Sequence, residues 1–159
     1  MTSRRNFIKT TGKGVALTSL ATSGFIAQTV WAEPQKKNIV IGIIGAENSH
    51  TAGFGRLFNI DKKFPGAELK YVWGETDEFA QSAMQKGNIP TQVKDPKEMI
   101  EKIDALIVDH RHPKYHLEAA RPFVEAGIPT FVDKPFCYRT SEGKDFLQMA
   151  KAKGTPVSS

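Results

Sequence analysis

Short apolar strands alternate with amphipathic helices from residue 38 onward, and this alternation constrains the fold more than any other feature. The strand patterns are rich in β-branched residues and cover 39–44, 68–73, 91–93, 104–109, 130–132 and 156–159. Helical patterns separate them, with short connections. Such alternation requires right-handed crossovers, so it predicts an α/β fold with a doubly wound parallel sheet covered on both faces. The 159 residues suit one domain of this kind.

Capping residues mark the expected helix boundaries. Ser49 or Thr51 is expected to begin the first helix, and Thr76 begins the second, which Gly87 would stop. The other helices are predicted from Asp95, from Pro113 to Ala126 with a kink at Pro122, and from Thr140 or Ser141 to Gly154.

Residues 1–32 have the layout of an export signal. They carry four basic residues and no acidic one, and so hold four of the five net positive charges of the chain. The nearly neutral remainder shows no basic and aromatic surface pattern, which argues against a nucleic-acid partner. A moderately apolar run from Val15 to Val30 leads to Ala32, near which we expect cleavage.

The stretch "SRRNFIK" at 3–9 resembles the twin-arginine signal. It predicts the twin-arginine export machinery (Tat) as a partner and a periplasmic protein, with 33–37 as a linker to a domain over 38–159. An uncleaved membrane anchor is the alternative, although the run is short and polar for a membrane span. We expect no stable span.

The turn after the first strand is a weak dinucleotide-binding motif. Ligands of parallel sheets bind beyond the carboxyl ends of the strands, where G-x-G-x-x-G usually follows the first strand. Gly45 stands at the close-turn position and the small Ala46 follows, but Glu47 and Ser49 or its neighbours replace the later glycines. Ser49 and Thr51 could bind phosphate or could simply cap the helix.

Glu75 follows the second strand, where an acid can accept hydrogen bonds from a ribose 2′-hydroxyl and would repel a 2′-phosphate. It therefore favours NAD over NADP, although a surface glutamate at a strand end is an ordinary feature.

Three histidines fall in "DHRHPKYH" after the fourth strand. His-x-His is a possible metal site. Alternatively, His112 begins a helix while His110 and Arg111 line a polar cleft. No further pattern completes a coordination set, so we predict no metal.

From Asn38 to Ser159 the chain resembles the N-terminal domain of the Gfo/Idh/MocA oxidoreductases. "NIVIGIIGA" is similar to the family's opening strand and turn, and "AKAKGTPVSS" to the entry to its last strand. The specific stretch is "DALIVDHRHPKYHLEAARPFVEAGIPTFVDKPF", with Asp133-Lys134-Pro135 in place of Glu-Lys-Pro. The resemblance implies a Rossmann-like domain and an NAD(P)-dependent oxidoreductase of carbohydrates, acting on a sugar or polyol by hydride transfer.

The resemblance also implies roles for individual residues. Lys134 would be the catalytic residue and contact substrate together with His116, with Lys134 partly desolvated, Asp133 supporting it and Pro135 fixing the chain direction. The alternative for Lys134 is a solvated ion pair at a strand end. The expected cofactor contacts are Gly45, Ala46, Asn48, Ser49, His50, Glu75, His110, Asp133, Lys134 and Pro135.

Family members carry a second domain that supplies most of the substrate pocket and the oligomer contacts. We expect this domain to be missing here, the dinucleotide domain to be truncated at its end, the 159 residues alone to be inactive, and a homo-oligomer only in a full-length form. Two other functions remain open: an NAD-dependent glycoside hydrolase of the same family, and a non-catalytic sugar-binding or scaffold protein.

Overall fold

A six-stranded parallel sheet forms the centre of the domain. The computed structural model describes residues 38–159; the predicted export signal and linker lie outside the described residues. The strands are β1 (Ile39–Ile44), β2 (Ala67–Trp73), β3 (Thr91–Gln92), β4 (Ala105–Val108), β5 (Thr130–Val132) and β6 (Val157–Ser158). Their spatial order is β3-β2-β1-β4-β5-β6. The order reverses between β1 and β4, and this reversal opens a crevice at the carboxyl edge of the sheet.

In residues 38–159, four α-helices cover the sheet: α1 (Ser49–Gly55), α2 (Asp77–Gly87), α3 (His116–Glu125) and α4 (Thr140–Lys153). A π-helical segment (Arg56–Ile60) continues α1, and 3-10 turns cover Pro96–Met99 and Pro113–Tyr115. The predicted α/β fold with a parallel sheet is thereby confirmed. No helix among the described residues is long and apolar enough to cross a membrane.

The side chains on the two faces of the sheet pack into separate hydrophobic cores, because successive strand residues point to opposite sides. Ile44 and Val108 join a cluster that includes Phe123 of α3 and Phe146 of α4. A second cluster forms on the other face, from Ile41, Ile43, Leu69, Val72, Ala83, Ile89 and Ile107. The cores on both faces hold the strand ends, and so the turns that follow them, in fixed positions.

Several helix boundaries differ from the sequence prediction. Asn48, and not Ser49 or Thr51, caps α1, and its side chain accepts a hydrogen bond from the His50 N–H. Helix α2 begins after Thr76 as expected, but the left-handed residue at its end is Asn88 rather than Gly87. Gly87 instead lies where α1 and α2 pack closely, because a Cβ there would make a tight contact of 3.1 Å with the Cα of Gly55.

Two of the other helices contain less α-helix than predicted, and one agrees with the prediction. Asp95 forms the full capping box with Glu98, yet only the 3-10 turn Pro96–Met99 follows. The helix expected from Pro113 begins as a 3-10 turn and becomes α-helical at His116. Helix α4 starts at Thr140, and Gly154 ends it in a left-handed conformation, as predicted.

Candidate functional site

The turn after β1 packs directly against the turn after β4, and Gly45 permits this approach. Its φ of +106° is one that side-chain-bearing residues rarely adopt. A Cβ at this position would lie 2.5 Å from the carbonyl carbon of Asp109. The two strands that flank the crevice therefore end in turns that touch backbone to backbone.

Glu75, at the end of β2, ties these turns together. Its Oε2 accepts hydrogen bonds from the backbone N–H groups of Ala46 at 2.8 Å and Glu47 at 2.9 Å. Its Oε1 lies 2.9 Å from Nδ1 of His110. Burial opposes ionisation, but the hydrogen bonds from His110, Ala46 and Glu47 outweigh it and lower the pKa of Glu75 to about 2. Glu75 is thus an anion held in place at the crevice.

A carboxylate and an imidazole side chain occupy the positions of the missing glycines. Counting G-x-G-x-x-G from Gly45 places Glu47 at the second glycine and His50 at the third. The Glu47 carboxylate turns toward Arg111, with 3.2 Å between Oε1 and Nη1. This ion pair offsets the negative charge that the sequence places near a bound pyrophosphate. Glu47 and Arg111 also line a cavity of about 330 Å³ with Asn48 and Ser49.

His50 connects the first turn to the motif after β5. Its Nδ1 lies 2.8 Å from Oδ2 of Asp133 and 3.9 Å from Oδ1 of Asp109. The Asn48 side-chain amide donates to Asp109 at 2.8 Å and lies 3.5 Å from Asp133. The ends of β1, β4 and β5 therefore meet in one network of polar side chains.

The two aspartates of this network have opposite pKa shifts. Burial and the neighbouring Asp133 raise the pKa of Asp109 to about 7, against the effect of the hydrogen bond from Thr51. Burial alone would raise the pKa of Asp133 as well, but the hydrogen bond with His50 brings it below its ordinary value. Two adjacent carboxylates rarely both ionise, so the proton resides preferentially on Asp109.

Thr51 supports a protonated Asp109. The Thr51 hydroxyl lies 2.7 Å from the Gly45 carbonyl and 2.7 Å from Oδ2 of Asp109. A hydroxyl carries one hydrogen, so both contacts are satisfied together when Asp109 supplies the second. Thr51 is completely buried. It is neither the helix cap nor a phosphate ligand, and the structure corrects both readings of this residue.

The histidines of "DHRHPKYH" separate into three different environments. His110 faces Glu75, as described above, while His112 caps the 3-10 turn by accepting the N–H of Lys114 at 3.2 Å. Of the alternative to a metal site, the structure shows His112 at the start of a 3-10 turn and Arg111 beside a cavity, whereas His110 is buried against Glu75. The three rings share no common centre among the described residues.

His116 is completely buried, which corrects its predicted contact with substrate. Its Nε2 lies 2.7 Å from the His110 carbonyl and its Nδ1 lies 3.1 Å from the Pro135 carbonyl. It holds the turn after β4 against the turn after β5. The sequence indicated that His116 belongs to a helix near the crevice but not that the helix turns it inward.

Lys134 follows directly after Asp133 at the carboxyl edge, and the peptide bond to Pro135 is cis. Its side chain is exposed, in contrast to the partial desolvation that we expected. Within the part of the chain that the structure describes, Asp133 pairs with His50 and not with Lys134. This arrangement differs from the solvated ion pair between Asp133 and Lys134 that was the alternative.

Three residues of the site were not among the predicted cofactor or substrate contacts: Thr51, Asp109 and Arg111. The sequence had suggested Thr51 only as a phosphate ligand or helix cap, and Arg111 only as part of a polar cleft. Asp109 and Arg111 immediately follow β4, so their position at the carboxyl edge was a usable signal. Thr51 gave no such signal, because its contact with Asp109 joins residues 58 positions apart.

The edge fits a dinucleotide. Glu75 uses one oxygen for two backbone amides and leaves acceptor capacity on the other for a ribose hydroxyl. The N-terminus of α1 and the side chains of Ser49 and Arg111 provide donors at the cavity beside the first turn. The His50 side chain occupies the position of the third glycine and would have to move to admit a dinucleotide. It is 40% exposed.

Known structures share this fold. The scyllo-inositol dehydrogenase from Lactobacillus casei with bound NAD(H) and scyllo-inositol has 21% identity and a TM-score of 0.63, over 77% of this chain and 36% of that one. The biliverdin reductase from Synechocystis sp. PCC 6803 in complex with biliverdin and NADP+ has 17% identity and a TM-score of 0.64, over 76% of this chain and 37% of the reductase. A Gfo/Idh/MocA family oxidoreductase from Vibrio cholerae has 21% identity and a TM-score of 0.64, over 76% of this chain and 37% of that protein.

The chain spans little more than a third of the length of these structures. No curated protein sequence matches it significantly. Residues 39–159, however, match the family model described as "Oxidoreductase family, NAD-binding Rossmann fold". This match agrees with the strand order, the Gly45 turn and the crevice, and the chain therefore belongs to the Gfo/Idh/MocA oxidoreductase family through its NAD-binding Rossmann domain.

Proposed function

We propose that the protein is an exported NAD(P)-dependent oxidoreductase, or the cofactor-binding half of one, that acts on a sugar or polyol. The observation that carries this proposal is the 2.8 Å contact between His50 and Asp133. It brings the Asp133-Lys134-Pro135 motif against the turn where a dinucleotide of this family would lie. A carbinol group held beside Lys134 would then face the nicotinamide end of the crevice.

The residues that would hold the cofactor surround the first turn. Gly45 and Ala46 allow close approach, and Glu75 accepts from a ribose hydroxyl. Ser49 and Arg111 supply donors for the pyrophosphate, once Arg111 shares its charge between Glu47 and phosphate. When bound, the nicotinamide ring supplies the hydride acceptor or donor. Glu75 is ionised over the whole working pH range, and we propose that it favours NAD over NADP.

Lys134 would handle the proton of the reaction. In substrate oxidation, Lys134 would assist transfer of the hydroxyl proton while the carbinol carbon loses a hydride, and in the reverse reaction it would assist return of that proton to the carbonyl oxygen. In the described residues, Lys134 is exposed at the edge, so a substrate oxygen can approach it. We propose a sugar or polyol because a neighbour in structure was solved with scyllo-inositol.

Exchange of Lys134 for Met tests this role. We expect hydride transfer with a panel of inositols and sugars to fall by about 10²-fold or more, because Met cannot accept the proton. NADH absorbance reports the rate. Binding of the nucleotide should stay within about threefold of the wild-type affinity, a difference of less than 1 kcal/mol.

Lys144→Met, at an exposed position of α4, is the matched control and should leave the rate unchanged. A Lys134→Met variant with wild-type rates would remove Lys134 from the chemistry.

Export rests on the twin-arginine motif at Arg4 and Arg5, which lies outside the described residues. A route that carries folded proteins would allow the cofactor to be loaded inside the cell, and the exported protein would then retain it and recycle it in place. Conversion of both arginines to lysine should retain the protein in the cytoplasm, as judged by cell fractionation. Unchanged export of that variant would rule out this route.

A further inference from the structure

Three metal-ligating atoms converge at the crevice, each from a different turn. They are Nδ1 of His50, Oδ1 of Asp109 and Oδ2 of Asp133. Nδ1 of His50 lies 2.8 Å from the Asp133 oxygen and 3.9 Å from the Asp109 oxygen, and all three atoms lie within 4.8 Å of one another. Two ligand atoms that each lie about 2.1 Å from a tetrahedral zinc ion are roughly 3.4 Å from each other. The distances from His50 Nδ1 to the two aspartate oxygens, 2.8 Å and 3.9 Å, lie on either side of that value.

The two carboxylates lie close to one imidazole and have little exposure to solvent. The Asp109 side chain is 0% exposed and the Asp133 side chain 8% exposed. In the described part of the chain, the ion pairs of both aspartates involve His50, and no lysine or arginine pairs with either. Two buried carboxylates beside one imidazole require a proton or a cation, because isolated buried charges are costly.

Surrounding residues fix the orientation of the ligands. The Asn48 amide donates to the Asp109 carboxylate at 2.8 Å, and its oxygen accepts from the His50 backbone at 3.2 Å. Thr51 holds the other oxygen of Asp109 at 2.7 Å. Outer partners of this type orient the ligands of established metal sites. The 40% exposure of the His50 side chain leaves a path from solvent to the centre.

We propose that His50, Asp109 and Asp133 bind one divalent transition metal ion of the zinc or manganese type. One imidazole nitrogen and two carboxylate oxygens form a mixed donor set that suits these ions. Water or a ligand oxygen would occupy the positions that face the crevice. This site differs from the His110, His112 and His116 set considered in the sequence, and the proposal does not depend on hydride transfer.

Isothermal titration calorimetry of the chelator-treated protein tests the proposal by measuring metal binding. Zn²⁺ and Mn²⁺ are titrated in separate runs, with Ca²⁺ for comparison. We expect one Zn²⁺ or Mn²⁺ per chain with a Kd in the micromolar range or tighter, and weaker binding of Ca²⁺. His50→Ala, which removes a ligand, and Asp133→Asn, which replaces an anionic ligand by a neutral amide, should each weaken binding by roughly 100-fold or more. His112→Ala removes an exposed histidine from the same edge and should bind as the wild type does.

Two results would overturn the site. One is the absence of binding in the wild-type protein at submillimolar metal. The other is wild-type affinity in His50→Ala, or an equal loss in His112→Ala, because binding would then occur elsewhere. Far-UV circular dichroism of each variant shows whether it is folded. The absorption spectrum of the Co²⁺-loaded wild type, which reports nitrogen and oxygen ligation, gives a second readout that needs no variant.

Discussion

At the scale of single residues, Gly45 sets the geometry of the site. A Cβ there would lie 2.5 Å from the backbone carbon of Asp109, and the φ of +106° is strained for any other residue. We predict that Gly45→Ala lowers the free energy of unfolding by about 3 kcal/mol or more, because backbone atoms must move apart. Gly127→Ala has a similar φ of +83° but open space around it, and should cost only about 1–2 kcal/mol.

Urea unfolding of both variants measures this difference. Equal losses would mean that strain in φ alone, and not the contact with the turn after β4, requires glycine at position 45.

Glu75 makes stability depend on pH in the acid range. Its pKa falls from 4.5 to about 2 on folding, because hydrogen bonds from His110 and two backbone amides outweigh the effect of burial. The folded state therefore binds fewer protons, and this contribution is complete above pH 4.5 and is lost as the pH falls toward 2. We predict a loss of about 2–3 kcal/mol over that interval.

Glu75→Gln should be less stable at neutral pH and should lack this component of the acid dependence. The measurement is the difference in unfolding free energy between the wild type and this variant at several pH values. A difference that stays constant from pH 6 to pH 3 would contradict the assigned contacts.

The sequence located many of the site residues but not their contacts. Glu75, His50 and Lys134 were predicted at the carboxyl edge from their positions after strands. Their partners depend on the register between strands distant in sequence, as in the contact between His50 and Asp133, which are 83 positions apart. His116 was misassigned because the helical pattern alone does not distinguish a buried polar position from one facing the crevice.

At the scale of elements, the close approach of α1 and α2 depends on two glycines. A Cβ on Gly55 would lie 2.6 Å from the Cα of Gly87, whereas a Cβ on Gly53, in the same helix, meets nothing within 4 Å. We predict that Gly55→Ala destabilises the domain by about 2 kcal/mol or more, through a helix–helix clash. Gly53→Ala should stabilise it by about 0.5–1 kcal/mol, since alanine favours the helix.

Thermal unfolding of the two variants compares alanine at two positions of one helix. Stabilisation by Gly55→Ala would contradict the observed packing of α1 on α2.

The elements themselves were largely predictable. Strands were found within one or two residues of their predicted bounds, because continuous β-branched runs indicate buried parallel strands. Helix ends were less predictable. Asn48 and Asn88 serve as caps where serine, threonine or glycine was expected. Asn88 can end α2 in the left-handed conformation, which asparagine tolerates. Gly87 therefore lies inside the helix, where it contacts Gly55.

At the scale of the whole molecule, the order of the strands brings the site together. The reversal between β1 and β4 places the Gly45 turn beside Asp109, and β5 places Asp133, which precedes Lys134, next to them. The alternation of strands and helices predicted a parallel sheet, and the family resemblance implied this topology. Glu47 and His50, which stand in place of glycines, are local differences that leave the sheet topology unchanged. They contribute side chains to the polar network of the crevice.

The central claim is that this crevice binds a nicotinamide dinucleotide, and its most direct test is the nucleotide content and binding of the purified protein. We predict about one NAD(H) or NADP(H) per chain released on denaturation, or saturable binding of NADH in the micromolar range. Ser49→Asp should weaken binding by roughly 10-fold, because it places an anion near the pyrophosphate. Ser141→Asp, at the start of α4, should leave the affinity unchanged. Absence of released nucleotide together with no binding at millimolar concentration would contradict the account.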